Sequence, residues 1–308
     1  MKAKVTIIGA GNVGATTAQL IAYAGFADVV LFDIAEGMPQ GKALDISEAC
    51  PLWNSSVSVT GTNTYADTAH SDVIVITAGF PRKPGMSRDD LLHANADVIK
   101  KVTFETSKLS PQSIMIVVTN PMDVMAQTAW KTSGFSAKKV IGMGGVLDSS
   151  RLRTFVSMEM GVSPEDVEAI VLGGHGDQMV PLPRFTTVKG IPITELLDKN
   201  KIDDIMNRTK NGGAEIVSLL KTGSAYYAPA AASCQMVKSI ILDEKRTLPC
   251  SSYLNGEFGI FDLFVGVPVV LGNGGVQRII ELELTDEERT QLKKSASSVK
   301  TLVEKTLL

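Results

Sequence analysis

Short apolar runs alternate with longer segments of helical periodicity through the first half of the chain. Two of these runs, residues 73–76 and 114–118, are apolar at every position. This pattern is typical of strands that helices cover on both faces of a sheet. Six such runs predict parallel strands at residues 5–9, 28–33, 57–60, 72–78, 113–119 and 138–144. Strands that alternate with helices predict an α/β fold with a doubly wound parallel sheet.

The pattern changes after about residue 145. Helices are predicted near residues 148–160, 202–221 and 225–244, and strands near 185–188, 191–193, 267–271 and 277–284. Thr285 and Glu288 form the signature of a capping box, which predicts that a last helix begins there. The sequence therefore predicts a Rossmann domain over residues 1–144 and an α+β domain over residues 145–308. We expect a ligand site in the crevice between them.

The composition narrows the classes of function. The chain has 30 basic and 33 acidic residues and a formal net charge of -3, so it lacks the basic field that nucleic-acid binding requires. Cys50, Cys234 and Cys250 are far apart and form no Cys-x-x-Cys pair, which argues against a disulfide framework and a thiolate metal site. No run of about twenty apolar residues predicts a membrane span. We expect a cytoplasmic protein that binds no metal, nucleic acid or membrane.

A glycine motif follows the first predicted strand. Gly9, Gly11 and Gly14 form a G-x-G-x-x-G pattern, with Asn12 and Val13 opening a helical segment. The first glycine permits a tight turn, the second lets the backbone approach a pyrophosphate, and the third lets the helix pack closely on the strand. The N-terminus of that helix attracts phosphate charge. The motif predicts a dinucleotide site, and a turn that only ends a strand is the alternative.

Asp33 ends the second predicted strand and indicates which dinucleotide is preferred. A carboxylate at this place can accept hydrogen bonds from the ribose hydroxyls of the adenosine, and it would repel the additional phosphate of NADP. NAD is therefore the predicted cofactor. An ordinary turn residue at the end of a strand is the alternative interpretation of Asp33.

His175 is the strongest candidate for proton transfer among the three histidines. It lies between glycines in the segment 173–177, where an imidazole can reach a ligand with little steric hindrance. Histidine titrates near neutral pH, as a general acid or base should. His70 and His93 have no comparable setting. Taken alone, His175 is equally well explained as a structural loop histidine.

Asp148 and Arg151 lie three positions apart, so a helix would place them on one face at the start of the second predicted domain. Taken alone, they are better explained as an intrahelical ion pair, which is a common feature of helix surfaces. Their possible chemical importance depends on whether the fold brings them close to His175.

The segment 80–88 follows the fourth predicted strand and contains Arg82, Arg88, two prolines and a glycine. A loop of this kind at the carboxyl edge of the sheet could close over an anion, although a solvated basic loop is the alternative. Asn120 ends the fifth predicted strand with a carboxamide that suits a carbonyl or hydroxyl oxygen.

Four of these motifs, taken in their order along the chain, resemble those of the lactate/malate dehydrogenase family. The matching segments are residues 9–14, 119–121, 147–151 and 174–177, and the resemblance extends from Val5 to the last helix. It implies that His175 accepts a proton from the substrate hydroxyl while a hydride passes from the same carbon to the nicotinamide of NAD. It also implies that Asp148 orients the imidazole and stabilises its charged form. The α+β domain would then be the substrate-binding domain.

The resemblance implies further contacts with the substrate and the cofactor. Arg151 would bind the carboxylate beside the reacting carbon through two parallel hydrogen bonds, and Arg88 would polarise the carbonyl. Asn120 would bind the substrate oxygen and help to position the nicotinamide. Together with the glycine motif and Asp33, the cofactor contacts would be Asn95, Val118, Thr119 and Asn120.

Arg82 favours one branch of the family. Members specific for lactate typically carry glutamine at this position and members specific for malate carry arginine, because the second carboxylate of malate needs a second cation. The resemblance therefore implies reversible oxidation of (S)-malate to oxaloacetate, in an architecture closer to lactate dehydrogenases than to mitochondrial malate dehydrogenases. Lactate oxidation, an NAD-dependent glycosidase and an NAD-binding sensor without catalysis are the alternatives. Relatives of this kind imply a homotetramer or a homodimer.

Overall fold

A nine-stranded sheet forms the centre of the computed structural model, which describes residues 2–80 and 87–306. Its parallel strands are β1 (Ala3–Ile8), β2 (Ala27–Phe32), β3 (Val59–Thr62), β4 (Val73–Ile76), β5 (Ile114–Val117) and β6 (Val140–Gly142). Their order across the sheet is β3-β2-β1-β4-β5-β6, with Val5 of β1 opposite Val29 of β2 and Val73 of β4. This is the strand order of the Rossmann fold. The predicted doubly wound sheet is confirmed.

Helices flank the parallel strands. They are α1 (Asn12–Ala24), α2 (Met38–Ala49), α3 (Arg88–Leu109) and α4 (Met122–Ser133). The strands form the core because their side chains are apolar on both faces, and all four residues of β4 are fully buried. A capping box begins α3: the N–H of Asp90 donates to Ser87 Oγ, and the N–H of Ser87 donates to Asp90 Oδ2, both at 3.0 Å. Because β1, β4 and β5 are parallel, the turns that follow these strands lie at the same edge of the sheet.

The chain continues after β6 with α5 (Gly145–Met160) and two small sheets. One contains β7 (Val167–Glu168), β10 (Thr187–Val188) and β11 (Ile191–Pro192), and the other contains β8 (Val171–Leu172) and β9 (Val180–Pro181). The segment with His175 is the connection from β8 to β9. Helices α6 (Ile193–Leu196), α7 (Lys199–Leu220) and α8 (Tyr227–Ile241) follow. The predicted helices 148–160, 202–221 and 225–244 correspond to α5, α7 and α8.

Three antiparallel strands extend the large sheet beyond β6. They are β12 (Arg246–Asn255), β13 (Phe261–Gly272) and β14 (Gly275–Ile279). β12 joins the parallel strands where Ser251 lies opposite Gly142. The sheet therefore continues past residue 144, and the division of the chain into two domains at that point remains a prediction.

The pattern of apolar residues did not predict β12. Pro249, Cys250, Ser251 and Ser252 interrupt it with residues that are uncommon in strand interiors, and a proline cannot donate a hydrogen bond within a sheet. In the fold, Pro249 lies opposite Pro268 of β13, so the two residues that lack an N–H donor share one position of the strand pair.

The last helix, α9 (Asp286–Lys305), begins where the capping box predicted. The N–H of Glu288 donates to Thr285 Oγ1 at 3.2 Å, and the N–H of Thr285 donates to Glu288 Oε2 at 2.9 Å. Across residues 2–80 and 87–306, no helix is long and apolar enough to cross a membrane. The same residues contain no group of three or more acidic, histidine or cysteine side chains that could hold a metal ion.

Candidate active site

The glycine motif turns tightly between β1 and α1. Gly9 has a φ of 109°, a backbone conformation that favours glycine. A Cβ atom on Gly14 would lie 1.8 Å from the carbonyl oxygen of Gly9, so the close packing of the helix on the strand requires glycine there. A Cβ atom on Gly11 would meet nothing within 4 Å, which leaves space for a ligand. With Asn12 and Val13 in the first turn of α1, the residues present fit a dinucleotide pyrophosphate.

Asp33 follows β2 directly, and its carboxylate binds the backbone of the glycine motif. Its Oδ2 accepts the backbone N–H of Ala10 at 2.7 Å, and its Oδ1 accepts the N–H of Ala35 at 3.0 Å. Two side chains that the sequence did not single out support this contact: Asn63 donates to the carbonyl oxygen of Asp33, and Lys42 donates to that of Ala10, both at 2.7 Å. Each carboxylate oxygen has a further lone pair. Hydrogen bonds from ribose hydroxyls to Asp33 therefore remain a prediction that this geometry allows.

Asn95 of α3 connects the ends of two strands. Its Oδ1 accepts the N–H of Phe80 at 2.7 Å, and its Nδ2 donates to the carbonyl oxygen of Asn120 at 2.8 Å. Thr119 is also buried, and its Oγ1 donates to the carbonyl oxygen of Ala78 at 2.7 Å. The hydrogen bonds of these two buried side chains connect the segments that follow β4 and β5 at the edge of the sheet. The cofactor contacts predicted for Asn95 and Thr119 remain predictions.

Asn120 has an exposed position at the carboxyl end of β5, and its peptide bond to Pro121 is cis. Val118 precedes it in the same turn and is partly buried. Arg88 is the first residue of α3. Arg82 belongs to residues 81–86, which lie outside the described residues. The substrate and cofactor contacts predicted for these four residues therefore remain predictions.

His175 and Asp148 form a hydrogen-bonded pair between the β8–β9 connection and α5. The imidazole Nδ1 lies 2.8 Å from Asp148 Oδ2, and the two side chains are 14% and 2% exposed. An ionised carboxylate can only accept a hydrogen bond, so this geometry assigns the hydrogen to Nδ1 and leaves Nε2 free to exchange a proton with a ligand. A Cβ atom on Gly144, just after β6, would lie 3.1 Å from the Cβ of His175. The pair is therefore at the carboxyl edge of the parallel strands.

Opposing effects act on the pKa of His175. Burial lowers this pKa, whereas the negative charge of Asp148 and its hydrogen bond raise it; the charge of Asp123 raises it further and that of Arg151 lowers it. The net result is a pKa above the ordinary value of histidine. The site therefore stabilises the imidazolium that forms when His175 accepts a proton.

Arg151 binds the other oxygen of Asp148. Its Nη1 lies 3.2 Å from Asp148 Oδ1, and its side chain is 13% exposed. Its Nε is buried and has no hydrogen-bond partner among the residues that the structure describes, which is uncommon for a buried donor. A Cβ atom on Gly212 of α7 would lie 3.1 Å from Cδ of Arg151, so the absence of a side chain there gives the guanidinium its space. Arg151 is thus held beside the His175–Asp148 pair with donor capacity for an anion.

Two side chains that the sequence analysis missed hold the segment around His175. Asp123, in the first turn of α4, accepts the backbone N–H of His175 on Oδ2 at 2.8 Å and the hydroxyl of Ser251 on Oδ1 at 2.6 Å. Ser295 of α9 accepts the N–H of Gly174 on its Oγ at 2.8 Å. An acidic residue within the apolar start of α4 was the available signal for Asp123. No sequence pattern marks Ser295.

The fold and the site together define a class of protein. A glycine motif at the end of β1 suits a dinucleotide, and a histidine with a free Nε2 lies at the same edge of the sheet, supported by a carboxylate and an arginine. A dinucleotide can carry a hydride, and a histidine of raised pKa can carry the accompanying proton. This combination is that of a dinucleotide-dependent oxidoreductase.

Comparisons with known proteins identify the family within this class. Residues 3–142 match the model of the lactate/malate dehydrogenase NAD-binding domain, and residues 145–307 match the model of the lactate/malate dehydrogenase alpha/beta C-terminal domain. The chain belongs to the lactate/malate dehydrogenase family, and its cofactor is NAD.

Individual relatives fall in both branches of the family. The chain is 56% identical to malate dehydrogenase of Roseiflexus sp. (strain RS-1), with 97% of each chain covered, and 57% identical to that of Rhodopirellula baltica, with 98% of this chain and 96% of the relative covered. The structure of malate dehydrogenase from Salinibacter ruber matches with a TM-score of 0.95 at 50% identity, covering 99% of this chain and 97% of that one. A lactate dehydrogenase from Cryptosporidium parvum, complexed with lactic acid and NAD, matches with a TM-score of 0.95 at 42% identity, covering 99% and 98%.

Proposed function

We propose that the protein catalyses the reversible NAD-dependent oxidation of (S)-malate to oxaloacetate. The observation that carries the proposal is the contact of one buried carboxylate, Asp148, with both His175 and Arg151. One group can move a proton and the other can bind a carboxylate, as oxidation of a hydroxy acid requires. The malate dehydrogenases at 56% and 57% identity support the choice of substrate.

His175 would accept the proton of the substrate hydroxyl on Nε2. NAD, when bound, supplies the acceptor for the hydride that leaves the same carbon. Asp148 holds Nδ1–H, fixes the orientation of the ring and stabilises the positive charge that the ring acquires. Because the pKa of His175 is raised, oxaloacetate reduction, which needs the protonated ring, is maintained to higher pH than an unperturbed histidine would allow.

The arginines would bind the two carboxylates of malate. Arg151 would hold the carboxylate beside the reacting carbon, for which its planar guanidinium is better suited than an ammonium group. Arg82 would pair with the distal carboxylate, and Arg88 would polarise the carbonyl oxygen together with Asn120. Lactate has no distal carboxylate, so a site with Arg82 would contain an unpaired cation if lactate were bound.

Replacing Arg82 with glutamine tests the substrate half of the proposal. We expect the ratio of kcat/KM for oxaloacetate to that for pyruvate to fall by about 10²-fold or more, because an interaction with a desolvated charge contributes about 2–5 kcal/mol. The two values would be measured with NADH under identical conditions. Lys83→Gln, which removes the adjacent charge, is the matched control and should leave the ratio near that of the wild type. An unchanged ratio in Arg82→Gln would show that Arg82 does not select the substrate.

Lactate oxidation is the second candidate. The lactate dehydrogenase of Cryptosporidium parvum has the same TM-score as the malate dehydrogenase of Salinibacter ruber, so the backbone fold does not separate the two substrates. The higher identity to malate dehydrogenases and the presence of Arg82 favour malate.

An NAD-binding sensor without catalysis is disfavoured because the His175, Asp148 and Arg151 side chains are all present, with Asp148 in contact with the other two. The family resemblance also supports a cytoplasmic homotetramer or homodimer.

A further inference from the structure

A second buried carboxylate lies against the catalytic segment. Asp123 is 4% exposed, and the two atoms that donate to it are the backbone nitrogen of His175, at 2.8 Å from Oδ2, and the hydroxyl of Ser251, at 2.6 Å from Oδ1. Ser251 belongs to β12, which is distant from Asp123 along the chain. A carboxylate in such a place costs free energy through desolvation, and it forms no ion pair with a residue in the described ranges.

The charged groups around His175 come from three elements. Asp148 and Arg151 face it from α5, Asp123 faces it from α4, and the exposed Asp177 lies in its own segment. A cavity of about 540 Å³ borders both His175 and Asp123, and its lining from α9 is uncharged. Among the described residues that line this cavity there is no lysine or arginine.

The bonding of Asp123 suits an ionised carboxylate. A backbone N–H can only donate, so Oδ2 acts as an acceptor, and the Ser251 hydroxyl can donate to Oδ1. Burial and, to a smaller extent, the charge of Asp148 raise the pKa of Asp123 above its ordinary value, and the two hydrogen bonds and the charge of His175 only partly offset that rise. With both aspartates ionised, the negative charges of Asp123 and Asp148 exceed the single positive charge of Arg151 by one. A proton on His175 brings the four side chains to electrical neutrality.

We infer that Asp123 is a positioning residue for proton transfer: it holds the backbone of His175 and supplies a second negative charge that stabilises the imidazolium. The inference rests on the proposed function, since it concerns the proton that His175 would exchange with the substrate. The contact of Asp123 with the backbone and the charge of Asp123 are separable, because asparagine can keep the first and lacks the second.

Asp123→Asn separates the two contributions. The asparagine oxygen can accept the N–H of His175 and its amide can donate to Ser251 Oγ, so both hydrogen bonds can persist. Without the negative charge, the pKa of His175 should fall by about half a unit to one unit. Malate oxidation needs the neutral ring and oxaloacetate reduction needs the charged ring, so both kcat/KM profiles should move to lower pH by that amount. Thermal unfolding and NADH binding would verify that the variant is folded.

Ser295→Ala is the matched control, because Ser295 holds the adjacent N–H of Gly174 without any charge. We expect it to lower the rate while leaving the pH profile in place. A folded Asp123→Asn protein whose profile coincides with that of the wild type would overturn the inference, whatever its kcat. Equal shifts in both variants would overturn it too, since loosening of the segment would then be the cause. If the wild type neither reduces oxaloacetate nor oxidises malate, the proposed function itself fails.

Discussion

Replacing His175 with asparagine is expected to lower kcat for malate oxidation by about 10²- to 10⁴-fold, the usual contribution of a general acid or base. The carboxamide can retain a hydrogen bond to Asp148, but it cannot accept a proton near neutral pH. NADH binding should be unchanged, because the glycine motif and Asp33 belong to other elements. Steady-state kinetics and a fluorescence titration with NADH measure the two effects separately.

His70→Asn is the control for this substitution. His70 is exposed and has a φ of 60°, a conformation that asparagine tolerates better than most residues. It also precedes β4, at the edge of the sheet opposite the site, so wild-type rates are expected. A His175→Asn enzyme that oxidises malate at the wild-type rate would contradict the assignment of proton transfer to His175.

The second large effect is expected from Arg151→Lys. An ammonium group keeps the charge and loses the planar pair of donors, and it cannot reach Asp148 and a substrate carboxylate in the same way. We expect kcat/KM for oxaloacetate to fall by about 10²- to 10³-fold, mostly through a higher KM, because the carboxylate is held in both the ground state and the transition state. Kinetics over a wide range of oxaloacetate concentration would separate KM from kcat.

Arg153→Lys is the same substitution two positions later in α5. The Arg153 guanidinium donates to the carbonyl oxygen of Pro164 at 3.1 Å and does not contact Asp148. Its kinetics should stay close to those of the wild type. Equal losses in Arg151→Lys and Arg153→Lys would indicate a general effect on α5 and would remove the substrate contact from Arg151.

Local sequence patterns were sufficient for the parallel half of the fold. Apolar runs without alternation, such as residues 73–76, identify strands buried on both faces, and all six predicted strands are present. The glycine motif was equally readable, since the positive φ of Gly9 is a local property and a Cβ atom on Gly14 would meet the carbonyl oxygen of Gly9, which is near it in sequence. Strand β12 was not predicted because its proline, cysteine and serines are stabilised in a strand by neighbours far along the chain.

The candidate site was only partly predictable for a related reason. His175, Asp148 and Arg151 were identified, and the fold brings them into contact. Asp123 and Ser295 bind the backbone of the His175 segment from elements distant in sequence. An acidic residue in the apolar start of α4 was the one local signal for Asp123, and no local pattern marks Ser295. The side chain of Asn95 connects two strand ends, a structural role that the sequence did not indicate, and its contact with the cofactor stays a prediction.

The most direct test of the proposed function is the ratio of kcat/KM for oxaloacetate to that for pyruvate, measured on the wild-type protein with NADH. A site with a cation for each carboxylate of the substrate should favour oxaloacetate by about 10⁴-fold, the discrimination typical of sites with buried polar groups that only one substrate can satisfy. Equal values, or a preference for pyruvate, would contradict the assignment of malate and oxaloacetate as the substrate pair.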